Sequence, residues 1–152
     1  MVLLFLAAQM GFADDRAKIV GTWKMVSQEW EIQATGERLS VMGKNPTGYM
    51  IFTPEGRMMA LITGEGRNPP KTDQDRASLL NSMAAYTGMF GFEGDKLIYK
   101  AEVAWHPARV GTEQVRFCRF DGDRLHVNSD WMPSTGVPSQ MGRTILTWER
   151  AK

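Results

Sequence analysis

Three segments, "TPEGR" at residues 53–57, "FEGDK" at 92–96 and "FDGDR" at 120–124, each set a glycine between β-prone runs. Glycine takes positive φ at little steric cost, and flanking Asp and Glu tolerate exposure, so each reads as a tight hairpin turn. "ATGER" at 34–38 is a fourth candidate. Between them lie "GYMIFT", "RMMALIT", "KLIYKAEVAW", "EQVRFCRF", "RLHVNSDW" and "RTILTWER", several alternating in polarity as strands with two unlike faces do. The pattern predicts eight or nine strands, mostly sequential antiparallel neighbours. A meander of that size removes its open edges by closing on itself. The expected fold class is therefore all-β, an eight- to nine-stranded antiparallel up-and-down barrel.

One segment breaks the rhythm. In "TDQDRASLLNSMAAY", Thr72 is placed to cap a helix whose first turn carries Asp73 and Asp75, where the helix dipole favours negative charge. Leu79, Leu80, Met83 and Tyr86 follow at helical spacing, and Gly88 supplies a stop. One mid-chain α-helix is predicted, bracing the sheet with its apolar stripe.

Closure of a barrel makes its first and last strands neighbours. Gly21 and Trp23 begin the first long strand in "IVGTWKMVSQEW"; Trp148 and Arg150 end the last in "ILTWER". Trp23 can then plug one end while a guanidinium from the last strand stacks on its face, a contact that stabilises by roughly 0.5–2 kcal/mol. The two ends of the chain read as two sides of one seam.

Composition excludes several classes. Eighteen basic residues against 17 acidic ones leave a net charge of +1, without the field that gathers nucleic acid or anionic membrane. Cys118 is the only cysteine, and His106 and His126 lack zinc-site spacing, so neither a disulfide, a metal nor another cofactor is expected. The apolar run within "MVLLFLAAQMGFA" is too short to span a bilayer, so no stable membrane insertion is expected. Residues 1–13 resemble the end of a truncated secretory signal, with small Gly11 and Ala13 before Asp14 and Asp15 but no basic n-region. That reading places the protein in the periplasm or outside the cell; an apolar leader on a cytoplasmic protein is the alternative. The barrel domain is expected over residues 19–150.

The candidate site follows from strand alternation. Along "EQVRFCRF", Gln114, Arg116, Cys118 and Phe120 share one face, and that face suits the interior, while Glu113 and Arg119 suit solvent. A buried guanidinium needs partners, and its planar fork matches a carboxylate, enolate or phenolate. Arg116 is then an anion or carbonyl clamp, half of an internal ion pair with Glu102 or Glu29, or part of a solvated strand face. "KLIYKAEVAW" puts Leu97, Tyr99, Ala101, Val103 and Trp105 on one wall, with Lys100 and Glu102 opposite. Tyr86 at a mouth and Arg57 after a turn complete the ligand-binding candidates: Arg116, Gln114, Tyr86, Tyr99, Trp105 and Arg57. For catalysis only His106 and Tyr86 offer an acid or base, and His126 reads as an outward strand residue.

Gly-x-Trp on the first strand with an arginine on the last resembles the lipocalin pattern. "IVGTWKMVSQE", "NPTGYMIFTPEGRMMALI", "AAYTGMFGFEGDKLIYKAEVAWHP", "GTEQVRFCRFDGDRL" and "LTWER" together are similar to the lipocalin-like domain family of bacterial and fungal proteins, over about residues 19–150. The resemblance implies a calycin-type barrel with a ligand-sized cavity, and some relatives are associated with secondary metabolism. The expected function is binding of a small, mostly apolar or amphipathic molecule bearing a polar or anionic group. The alternatives are an enzyme on the same barrel, a cyclase or hydrolase of polyketide-like molecules, and a structural envelope protein whose barrel is filled. The sequence leaves the oligomeric state open.

Overall fold

The computed structural model describes residues 16–134 and 139–152. The expected leader, residues 1–13, lies outside them. Ten antiparallel strands form one sheet: β1 (Gly21–Ile32), β2 (Arg38–Leu39), β3 (Thr47–Phe52), β4 (Arg57–Thr63), β5 (Met83–Glu93), β6 (Lys96–Ala104), β7 (Glu113–Asp121), β8 (Arg124–Asn128), β9 (Met132–Pro133) and β10 (Met141–Arg150). Eight of them close in the ring β1-β3-β4-β5-β6-β7-β8-β10, with β10 returning to β1; β2 extends β1 and β9 extends β10. The expected meander barrel is the observed one. The turns at Gly56, Gly94 and Gly122 each hold glycine at positive φ, as tight hairpins require. All three lie at one end of the barrel, so the longer connections gather at the other, open end.

The closed end is packed by Trp23, Trp148, Phe52 and Leu125, all almost fully buried. A helical turn at residues 16–19 runs beneath it. Its Ile19 is sealed from solvent, and the Trp23 indole donates to the Ile19 carbonyl at 2.7 Å. Trp23 and Arg150 are direct partners across the β1–β10 seam, and the guanidinium lies 3.9 Å from the indole ring centroid. Arg150 also donates to the carbonyls of Val20 at 2.7 Å and Lys18 at 2.6 Å. Gly21 sits at φ +124°, and a Cβ there would stand 2.7 Å from Arg150 Nη1, which accounts for the glycine two residues before the tryptophan. Arg150→Ala is expected to lower stability by roughly 0.5–2 kcal/mol, and Arg150→Lys to restore only part, because an ammonium cannot stack as a plane. Urea unfolding of the three proteins measures this; equal midpoints and slopes would contradict the seam's role.

The helix differs from expectation at its end. Helix α1 spans Asp73–Asn81, with Thr72 and Asp75 forming a reciprocal capping box. Met83, Tyr86 and Gly88 belong instead to β5, whose residues 83–89 pair with β4 from Thr63 back to Arg57. Long-range ladder bonds override the local helical spacing. None of the residues of α1 is buried, and Leu80 is exposed, so the helix spans the β4–β5 connection without bracing the sheet. Among the described residues no helix is long and apolar enough to cross a membrane.

Candidate functional site

The phase of each strand decides what faces the interior. On β7, Gln114 pairs with Tyr99, Arg116 with Leu97 and Cys118 with Val127, and all three partners are buried in the core. Gln114, Arg116, Cys118 and Phe120 therefore line the inner wall. The lower interior is occupied by aromatic and methionine side chains, among them Trp23, Met50, Phe52, Met58 and Phe90. Towards the open end the same wall carries the smaller Ala60, Ala84 and Thr144 beside a polar group.

That group is built on β6, β7 and the loop between them. Arg116 Nη2 donates to Gln114 Oε1 at 3.2 Å, and Arg109 Nη1 approaches the same oxygen at 3.5 Å. Gln114 turns its amide nitrogen to Thr112 Oγ1 at 3.0 Å. Two cations thus share one neutral acceptor, and among the described residues neither pairs with a carboxylate. Glu102 and Glu29, the ion-pair partners considered for Arg116, are engaged elsewhere, by Arg57 and Arg38. Arg116 lies 5.8 Å from the Tyr99 ring centroid and Arg109 lies 5.2 Å from that of Trp105. Tyr86 stacks on Tyr99 with centroids 5.4 Å apart and planes 7° from parallel, and its other neighbour is Trp105 at 6.3 Å.

The Tyr99 hydroxyl is buried without a hydrogen-bond partner. Burial, reinforced by the adjacent Tyr86 phenol, holds its pKa far above the usual tyrosine value, although Arg116 and Arg109 pull the other way. It stays protonated at neutral pH beside two guanidiniums.

The remaining sequence candidates lie elsewhere. Arg57 is on the outer wall opposite Met89, its Nη1 2.8 Å from Glu102 Oε2, and does not enter the interior. His106 is exposed and its Nδ1 accepts from the Ala108 amide, capping a 3-10 turn at Pro107–Arg109, so it too stays outside the barrel. Of the two catalytic candidates only Tyr86 reaches the inner face. His126 is on the outer wall as expected, near Thr147 Oγ1, with its pKa lowered by burial and then by Arg119. Val103 is a correction: a β-bulge shifts the β5–β6 register between Thr87 and Gly88, which turns Val103 outward and leaves it 64% exposed. Trp105, also expected on the inner wall, is turned with it: its amide donates to the carbonyl of Ala85, the neighbour of exposed Leu61, and it borders with Val103, Met59, Leu61 and Tyr86 a shallow apolar depression of about 370 Å³.

Sequence reasoning missed Arg109, which sits in a loop without periodicity. It also missed Gln28 and Trp30, because a second irregularity between Met25 and Ser27 rephases β1. Beyond it Gln28 pairs with Leu146 and Trp30 with Thr144, so both face inward. No cluster of three His, Cys, Asp or Glu side chains suited to a metal occurs among the described residues.

A closed antiparallel meander with a polar group inside its open end defines a barrel of the lipocalin-like type. The chain belongs to the lipocalin-like domain family, whose model matches residues 20–151. No curated protein sequence matches it. Among solved structures it is similar to a variant of the fluorescent protein UnaG, with 14% identity and a TM-score of 0.38 over 88% of this chain and 96% of that one.

Proposed function

We propose that the protein binds a small, mostly apolar molecule through an acidic group received inside the open end of the barrel. The observation that carries this reading is the convergence of Arg109 and Arg116 on Gln114 Oε1 with no carboxylate among the described residues to balance them, next to the buried Tyr99 hydroxyl. Arg116 has only neutral acceptors among the described residues, Gln114 Oε1 and the Val115 carbonyl at 2.8 Å, and an anion adds the stronger charge-assisted hydrogen bonds these do not supply. Tyr86, stacked on Tyr99, supplies flat apolar surface beside them, and such surface contributes most of the affinity while the polar groups fix orientation.

A matched pair of fluorescent probes tests this: anionic anilinonaphthalene sulfonate and neutral phenylnaphthylamine. The parent protein is expected to bind the anionic probe saturably and more tightly. Arg116→Met should weaken the anion by about one to two decades, the worth of a charged hydrogen bond, and change the neutral probe little. Equal losses for both probes with the fold intact, or no saturable binding of either, would refute the proposal.

A further inference from the structure

The outer wall of β3–β6 carries two uncharged rows of side chains that run across four neighbouring strands. In one row Tyr49 pairs with Leu61 and Leu61 with Ala85, whose carbonyl receives the Trp105 amide. In the next, Ile51 pairs with Met59, Met59 with Thr87 and Thr87 with Val103. Tyr49, Ile51, Met59, Leu61 and Val103 are between 41% and 64% exposed, and exposed Met89 lies just beyond them. Together they present on the order of 500 Å² of apolar surface, the size at which an exposed patch marks a contact site. The adjoining Arg57 and Glu102 neutralise each other at 2.8 Å.

The relief of this face is self-complementary. To the two rows β5 contributes only the short Ala85 and Thr87, and the Thr87 hydroxyl already donates to the Met58 carbonyl at 2.7 Å. On one side stand Met59 and Leu61 of β4, on the other Val103 and Trp105 of β6, and the depression of about 370 Å³ lies between them with β5 as its floor. A ridge of two long apolar side chains thus runs beside a trough of two short ones, at matching heights. We propose that this face joins two copies of the chain, related by a two-fold axis that runs along the strands between β4 and β5. A two-fold contact presents one patch to itself, so the ridge of each copy enters the trough of the other. Leu61 of one copy then meets Ala85 of the other, Met59 meets Thr87, and Ile51 meets Val103. With its polar rim, the face approaches the ~800 Å² that each partner contributes to a stable interface.

Sedimentation equilibrium of the full chain, over a range of concentrations, tests this. The parent is expected to dimerise, and Leu61→Glu and Ala85→Lys should each weaken the dimer at least about tenfold while keeping the circular dichroism of the parent. Mixing the two variants should restore a heterodimer, because one glutamate then lies over one lysine. Ile51→Glu mixed with Val103→Lys repeats the comparison at two exposed positions, should Ala85→Lys not fold. A parent that stays monomeric throughout overturns the proposal. So does a dimer that survives both glutamate substitutions, which would place the contact on another surface. Variants of both pairs that dissociate alone and stay apart when mixed overturn the two-fold register. A monomeric parent that binds neutral phosphatidylcholine vesicles, and loses that binding in Leu61→Glu, would assign the face to lipid instead.

Discussion

Trp23→Ala is expected to remove about 3–5 kcal/mol of folding stability, the range for deleting a large aromatic from a packed core. The indole is 1% exposed, packs 6.2 Å from Phe120, donates to the Ile19 carbonyl and carries the Arg150 guanidinium on its face. Truncation opens a cavity at the closed end and releases both the helical turn and the seam. Domains of this size are stable by only about 5–15 kcal/mol, so the variant approaches the limit at which it folds at all. Trp23→Phe keeps a ring but loses the indole donor, and should fall between parent and alanine variant. Chemical denaturation followed by circular dichroism measures all three; a loss below about 1 kcal/mol for Trp23→Ala would show that the closed end does not depend on its plug.

The second large effect is expected at Gly88. A Cβ there would overlap the carbonyl oxygen of Lys100, a backbone atom of the neighbouring strand that cannot swing aside as a side chain can. Gly88→Ala must push β5 and β6 apart at the bulge, and should cost about 3 kcal/mol, the upper part of the range for overpacking. Gly91 lies on the same strand with open space where its Cβ would be, so Gly91→Ala is the control and should be neutral or slightly stabilising. Thermal melts of the pair separate the steric argument from a general intolerance of alanine in β5. Similar melting temperatures would refute it.

The contrast between these glycines illustrates what could be read from the chain. Turn glycines at positive φ are legible because the constraint is local: Gly56, Gly94 and Gly122 each sit in a short motif that names the turn. The start of α1 was legible for the same reason, in Thr72 and the acidic residues after it. Its end was not, since what makes Met83–Glu93 a strand is pairing with β4, some twenty residues back, rather than anything within the segment. The inward face of β7 followed from alternation because that strand is regular. Alternation failed for Val103, and gave no warning of Gln28 and Trp30, because a single extra residue reverses the phase of everything beyond it. Arg109 reaches the site from a loop, where no period exists to place it.

The seam has a kinetic corollary. The partner of Trp23 is Arg150, so well over a hundred residues separate the two sides of the strand pair that closes the ring. Chains dominated by such distant pairings fold slowly, because loop closure must precede the contacts that reward it. During synthesis at roughly 5–20 residues per second, β1 waits on the order of ten seconds for β10 to exist. Through that interval its β10-facing edge and one face of the Trp23 indole have no native partner. Closure cannot precede the synthesis of β10, and the burial of Trp23 under Arg150 is a fluorescence clock for it.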